Sequence, residues 1–198
     1  GKVAEAIEHF NEALRIRPNS AEVYNNLGGA LGKAGRTEEE VGCYRKAIEL
    51  KGDFTVAHYN LAAALVKQGK KDEAIFEYRE ALRFEPDYVE ALSNLGFELT
   101  GQGKFSEAID YYQKALELKP DDVITHGRLG LAYAAAGKID EAIKECRFVL
   151  QNLPNDAEMH FNLGVLLEKQ GKIDEAIQSY QQALQINPDY TEAAEHLN

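Results

Sequence analysis

Apolar and polar positions along this chain follow a helical period, and the whole pattern then recurs. From Ala21 onward the fourth, seventh, eighth and eleventh places are apolar or small: Tyr24, Leu27, Gly28, Leu31. That spacing marks one face of a helix. A glycine interrupts it, and a second stripe with the same period follows, as in Ala74, Tyr78, Ala81 and Leu82. The second stripe stops at a proline, which disfavours helix in the residue before it. Prolines stand at 18, 86, 120, 154 and 188, so every gap is 34 or twice 34, with Gly52 in the vacant place.

Repeats starting at Ala21, Thr55, Val89, Val123 and Ala157 bring every other feature into register. The seventh place is Leu27, Leu61, Leu95, Leu129 and Leu163, and the eighth is always Gly or Ala. An unbroken glycine column, Gly35, Gly69, Gly103, Gly137 and Gly171, is placed to end each first helix in the left-handed conformation. Ala, Tyr and Ala columns follow, with Glu40, Cys146 and Val149 as exceptions. Small residues bring two axes together, and bulky Tyr and Leu fill the remaining space. Each unit is a helix hairpin whose apolar faces are satisfied by its neighbours, and such units stack into a solenoid.

The expected organisation is a single solenoid over residues 1–198. Residues 1–20 supply a second helix, with Ala6, Phe10 and Ala13 in its core columns. Full repeats occupy 21–54, 55–88, 89–122, 123–156 and 157–190, and 191–198 open a further first helix. A chain starting and ending mid-repeat is expected to be part of a longer array, with exposed apolar edges at Phe10, Ala194 and Leu197 and a route to end-to-end self-association. Repeat 21–54 departs furthest, through Gly29, Gly32, Gly42, Glu40 and Gly52; drift is the favoured reading and a hinge the sharper one.

These columns resemble the tetratricopeptide repeat family over the whole chain. The resemblance implies an all-α, right-handed superhelical solenoid of antiparallel hairpins, first helices lining a concave groove and second helices facing outward. The array is most similar to the superhelical arm of O-GlcNAc transferases, whose groove asparagines grip substrate peptides.

Charge narrows the choice of partner. The 198 residues carry 22 Lys and Arg against 33 Asp and Glu, a net charge of -11. This favours basic partners and argues against nucleic acid and anionic lipid. No run is long and apolar enough to span a membrane, and Glu5, Glu8 and His9 spoil a secretory leader. Two cysteines, Cys43 and Cys146, form neither a metal set nor a disulfide framework and fit a reduced, cytoplasmic setting.

Catalytic and cofactor readings find no footing: there is no phosphate-binding loop, nucleophile elbow or zinc spacing. His58, His126 and His160 share one column, but it is a packing place and the copies stand too far apart for a shared metal. Cys146 in the Tyr column reads as a buried, inert hydrophobe. Glu38, Glu39 and Glu40 read as a solvated face.

The first helices carry the candidate partner site. Their sixth place is Asn26, Asn60, Asn94, Arg128 and Asn162. An amide offers a donor and an acceptor, so it pairs with a peptide backbone whatever the side chain. Copies roughly 10 Å apart match about three residues of extended chain. The alternative is that these amides meet water or one another. Arg128 suits a carboxylate. Among the neighbouring apolar residues Val56, Tyr59, Phe97, Ile124, Leu131, Phe161 and Val165, the aromatics Tyr59, Phe97 and Phe161 are expected to touch a partner. Lys33, Lys67 and Lys169 are expected to form a modest basic edge, or else simply to be solvated. The fifth place, Asn25, Tyr59, Ser93, Gly127 and Phe161, lacks the lysine of the family's clamp for acidic chaperone tails. The expected function is a non-enzymatic scaffold binding an extended segment of a protein or peptide. The alternatives are the substrate-recruiting arm of a larger enzyme, its catalytic domain elsewhere, and an oligomer built through open ends.

Overall fold

The computed structural model describes residues 1–197. Residue 198, the last of the expected opening helix, lies outside the described residues. From Ala21 to Ile186 the helices alternate between 13 and 14 residues. First helices are α2 (Ala21–Lys33), α4 (Thr55–Lys67), α6 (Val89–Gly101), α8 (Val123–Ala135) and α10 (Ala157–Lys169). Second helices are α1 (Lys2–Ile16), α3 (Thr37–Leu50), α5 (Lys71–Phe84), α7 (Phe105–Leu118), α9 (Ile139–Asn152) and α11 (Ile173–Ile186). The short α12 (Thr191–Glu195) closes the series, and no strand occurs among the described residues.

The turn within each hairpin is chemically specified. Gly35 has φ 75° and Gly69 has φ 74°, a region that a Cβ makes costly. At the end of α2, Gly35 N–H donates to the Gly32 carbonyl (3.1 Å) and Arg36 N–H to the Leu31 carbonyl (3.0 Å). That pair of bonds is a Schellman motif, which satisfies carbonyls a helix end leaves open. At the start of α2, α8 and α10 the side chains of Ser20, Asp122 and Asp156 accept from backbone N–H groups. Second helices have no such side-chain cap; acidic residues in their first turn, such as Asp72 and Glu73 in α5, complement the helix dipole. The residue before each proline is non-helical, as at Glu85 (φ -135°, ψ 85°). Lys51, which precedes Gly52, takes nearly the same conformation (φ -145°, ψ 91°), so the turn survives without its proline.

Two compact units divide at residues 98 and 99, inside the span of α6. In the first, the hairpins α2–α3 and α4–α5 bury Leu27, Leu31, Tyr44, Leu61, Leu65 and Tyr78. In the second, α8–α9 and α10–α11 bury Leu129, Tyr133, Cys146, Leu163, Leu167 and Tyr180. The small eighth place explains the close approach. A Cβ on Gly28 would lie 2.7 Å from Tyr44 Cε1, and one on Gly164 would meet the Tyr180 ring equally hard. Placing a bulky ring over a glycine thus recurs in both units.

Three expectations change here. Glu40 is not part of a solvated face: it is 4% exposed, packed against Gly32 of α2. Its place in the repeat, held by buried Ala74, Ala108, Ala142 and Ala176 elsewhere, overrides the polarity of the residue. Phe10 is half-buried, because α1 packs against α2; the large exposed apolar side chains of α1 are Val3 and Ile16. Near the other end Ala193 is buried and Ala194 and Leu197 are half-buried, since α12 packs against α11.

Candidate functional site

First helices of one unit lie side by side, and their fifth and sixth places meet across the gap. In the first unit Asn60 Nδ2 donates to Asn25 Oδ1 (2.9 Å) and Asn94 Nδ2 donates to the Tyr59 hydroxyl (3.2 Å). Asn25 in turn donates weakly to Asn26 Oδ1 (3.4 Å). In the second unit Gly127 and Asn162 stand at the same two places and share a small cavity with Met159 and Cys146. Phe161 and His196 repeat the relation as rings 5.7 Å apart. The asparagine column is therefore partly spent on neighbours. Asn60 uses one amide proton on Asn25, and its carbonyl has no partner among the described residues. Asn162 makes no side-chain hydrogen bond among the described residues. An acceptor and a donor thus stay available at Asn60 for a peptide backbone.

The aromatic residues divide. Phe97 is 53% exposed in the first unit, and Ile124 and Leu131 are exposed in the second. Tyr59 is half-buried, its ring 4.9 Å from Tyr88 and 5.8 Å from Tyr78. Phe161 is half-buried among Tyr180 (5.8 Å), Tyr190 (5.1 Å) and His196. Both rings hold first helix to second and leave only part of their surface open. Arg128 is half-buried and Asn26 exposed.

A hollow of about 520 Å³ opens on the first unit between α1, α2 and α4. Val3, Ala6, Phe10, Gly29 and Ala30 give it apolar walls, Asn25, Asn26 and Asn60 supply amides, and Lys2 and Lys33 stand at the rim. Gly29 creates part of the space, since the ninth place is Ala63 or Phe97 in the next two repeats.

The histidines do more than fill space. His58 Nδ1 lies 2.6 Å from Glu77 Oε2 and Nε2 lies 3.1 Å from the Gly52 carbonyl. His126 repeats this with Glu145 (2.5 Å) and the Pro120 carbonyl (2.8 Å), and His160 reaches the Pro154 carbonyl (2.9 Å). Burial works against the charged imidazole at His58, but the Glu77 carboxylate and the Gly52 carbonyl outweigh it and raise its pKa. The co-occurrence of Glu at the place 19 residues on, in the two repeats with this bridge, is a signal present in the sequence that the packing argument passed over. Burial pushes the Cys146 thiol up to about 11, which leaves it unreactive. Among the described residues no cluster of three metal-ligating side chains occurs, and no helix is long and apolar enough to cross a membrane.

Family models describe the same hairpins. Tetratricopeptide repeat models match residues 21–54, 43–76, 89–122, 111–144 and 157–190, and a TPR repeat model matches 1–35 and 64–101. The chain belongs to the tetratricopeptide repeat family. Its fold is the expected all-α solenoid of antiparallel helix hairpins, and arrays of this family are protein-binding scaffolds. Among solved structures the tetratricopeptide protein YrrB, described as having an unusual peptide-binding site, is 26% identical. That similarity covers 96% of this chain and 97% of YrrB, with a TM-score of 0.89. MamA from Desulfovibrio magneticus RS-1 shares the fold at 18% identity, covering 86% of this chain and 96% of its own (TM-score 0.80). MamA from AMB-1 is 26% identical over 83% of this chain and 96% of its own (TM-score 0.75). No curated protein matches the sequence.

Proposed function

We propose that this tetratricopeptide chain is a non-enzymatic scaffold that holds an extended segment of a partner protein in the concave groove lined by its first helices. The observation that carries the reading is Asn60: a half-buried amide, fixed in orientation by Asn25, with its carbonyl turned to no partner among the described residues. A preoriented amide loses little entropy on binding, which is what a backbone-reading surface needs. In the first unit Asn26 and Asn94 extend the same contact; in the second Asn162 offers an amide of its own and Arg128 takes a carboxylate of the segment. Phe97 supplies the broadest apolar contact; Tyr59 and Phe161 offer the edges of their packed rings. YrrB, described as peptide-binding and alike along nearly its whole length, supports this class of ligand.

The test is selection from a randomised peptide library by the intact chain and by an Asn60→Ala/Asn94→Ala/Asn162→Ala variant. The reading predicts that the chain enriches defined peptides and that the variant loses them while keeping its helical content. Unchanged enrichment by the variant contradicts it.

Self-association is a second reading, favoured by α1, which has no buried residue and lines the hollow with Val3, Ala6 and Phe10. Sedimentation giving a monomer at every concentration removes it.

A further inference from the structure

Glu40 is a charge buried where the fold asks for none. Four other repeats place a buried alanine there, so the carboxylate contributes nothing that hairpin packing requires. Burying it is costly unless both oxygens are paired. They are not: Oε1 is 3.3 Å from Lys67 Nζ, and Oε2 is enclosed with no hydrogen-bond partner. A second departure from the repeat makes the room. A methyl group on Gly32 would sit 2.8 Å from Glu40 Oε2 and closer still to Oε1. The other repeats carry Val66, Thr100, Ala134 and Glu168 at the Gly32 place. The two exceptions are therefore one feature, a glycine opened over a carboxylate.

Glu40 itself sits on second helix α3, and the groups that meet its carboxylate, Gly32 and Lys67, sit on first helices. Lys67, whose ammonium reaches the carboxylate, belongs to first helix α4, and its side chain is 58% exposed. Gly29 and Lys33, which flank Gly32 on α2, line the 520 Å³ hollow together with Asn60. Lys67 is thus a loosely held cover that supplies one donor group to a carboxylate with two oxygens.

We propose that Glu40 is the recognition point for a cationic side chain, arginine before lysine, of the segment bound against the first helices. This rests on the groove reading above. The incoming guanidinium displaces the Lys67 ammonium, and its parallel N–H groups serve Oε1 and Oε2 together, which one ammonium does not. The net charge of -11 draws basic segments to the surface in the first place.

The experiment repeats the library selection with the wild type, Glu40→Ala and Glu40→Gln, each checked for helical content and cooperative unfolding. Glu40→Ala installs the residue of the other repeats, and Glu40→Gln keeps the shape if the smaller side chain leaves a void. The wild type is expected to enrich peptides with Arg or Lys at one register position. Both variants should bind those peptides about tenfold or more weakly, the loss of a charge-assisted bond, and show no basic preference. Wild-type selection without a basic preference overturns the proposal, as does a preference that survives both substitutions. In either case, loss of binding in the asparagine variant leaves the groove reading standing. If the wild type selects nothing, the groove reading fails and this proposal fails with it.

Discussion

His58 shows how a single side chain can tie a hairpin to the turn before it. Both its partners, the Glu77 carboxylate and the Gly52 carbonyl, are acceptors, so the doubly protonated ring satisfies both. Its pKa is raised above the unfolded value of about 6.5. A raised folded pKa means the bridge contributes in full below about pH 6.5 and is lost as pH rises through the folded pKa. Urea unfolding of the wild type and of Glu77→Gln should therefore differ most in acid and converge toward alkaline pH; a gap that widens with pH contradicts the assignment. Gly69 makes a second residue-scale prediction. With φ at 74°, Gly69→Ala should cost about 1–2 kcal/mol by urea unfolding even though open space surrounds it. Glu40 carries the lesson of scale: a run of three glutamates suggested a solvated face, whereas the column shared with Ala74 and Ala108 placed it inside. Position in the repeat outweighs local polarity, because neighbouring hairpins enclose that place whatever fills it.

At the level of elements, the helices were legible because three signals coincide: period, glycine column and proline column. Lateral contacts between first helices were not. The residues 35 apart, Asn25 with Asn60 and Tyr59 with Asn94, stand in plain columns, but whether an amide turns sideways or outward depends on its rotamer and on the residue next to it. The repeat places of the candidate residues followed from the columns, and the orientation of their side chains did not. The weak repeat 21–54 offers a direct check. Gly42 lies inside α3 with nothing within 4 Å of a built Cβ and without a positive φ, so Gly42→Ala should stabilise the chain by roughly 0.5–1 kcal/mol. Amide exchange separates drift from a hinge at the same element. Drift predicts that α2 and α3 are protected like α4 and α5 once that glycine is replaced; persistent rapid exchange marks a hinge.

For the molecule as a whole, the proposal pairs a negatively charged chain with a flexible, basic segment. The negative net charge predicts that binding of basic peptides weakens as ionic strength rises, most steeply in the association rate. Exposed apolar residues also occur on second helices, Phe76 and Ile173 among them, so exposure alone does not choose a face. The deciding measurement is a residue-resolved NMR titration of the isotopically labelled chain with a library-selected peptide. The account predicts perturbed amide and side-chain signals at Asn26, Asn60, Asn94, Phe97 and Asn162, on first helices. Perturbations centred on Phe76 and Ile173 instead, with the asparagine side chains unmoved, would contradict it.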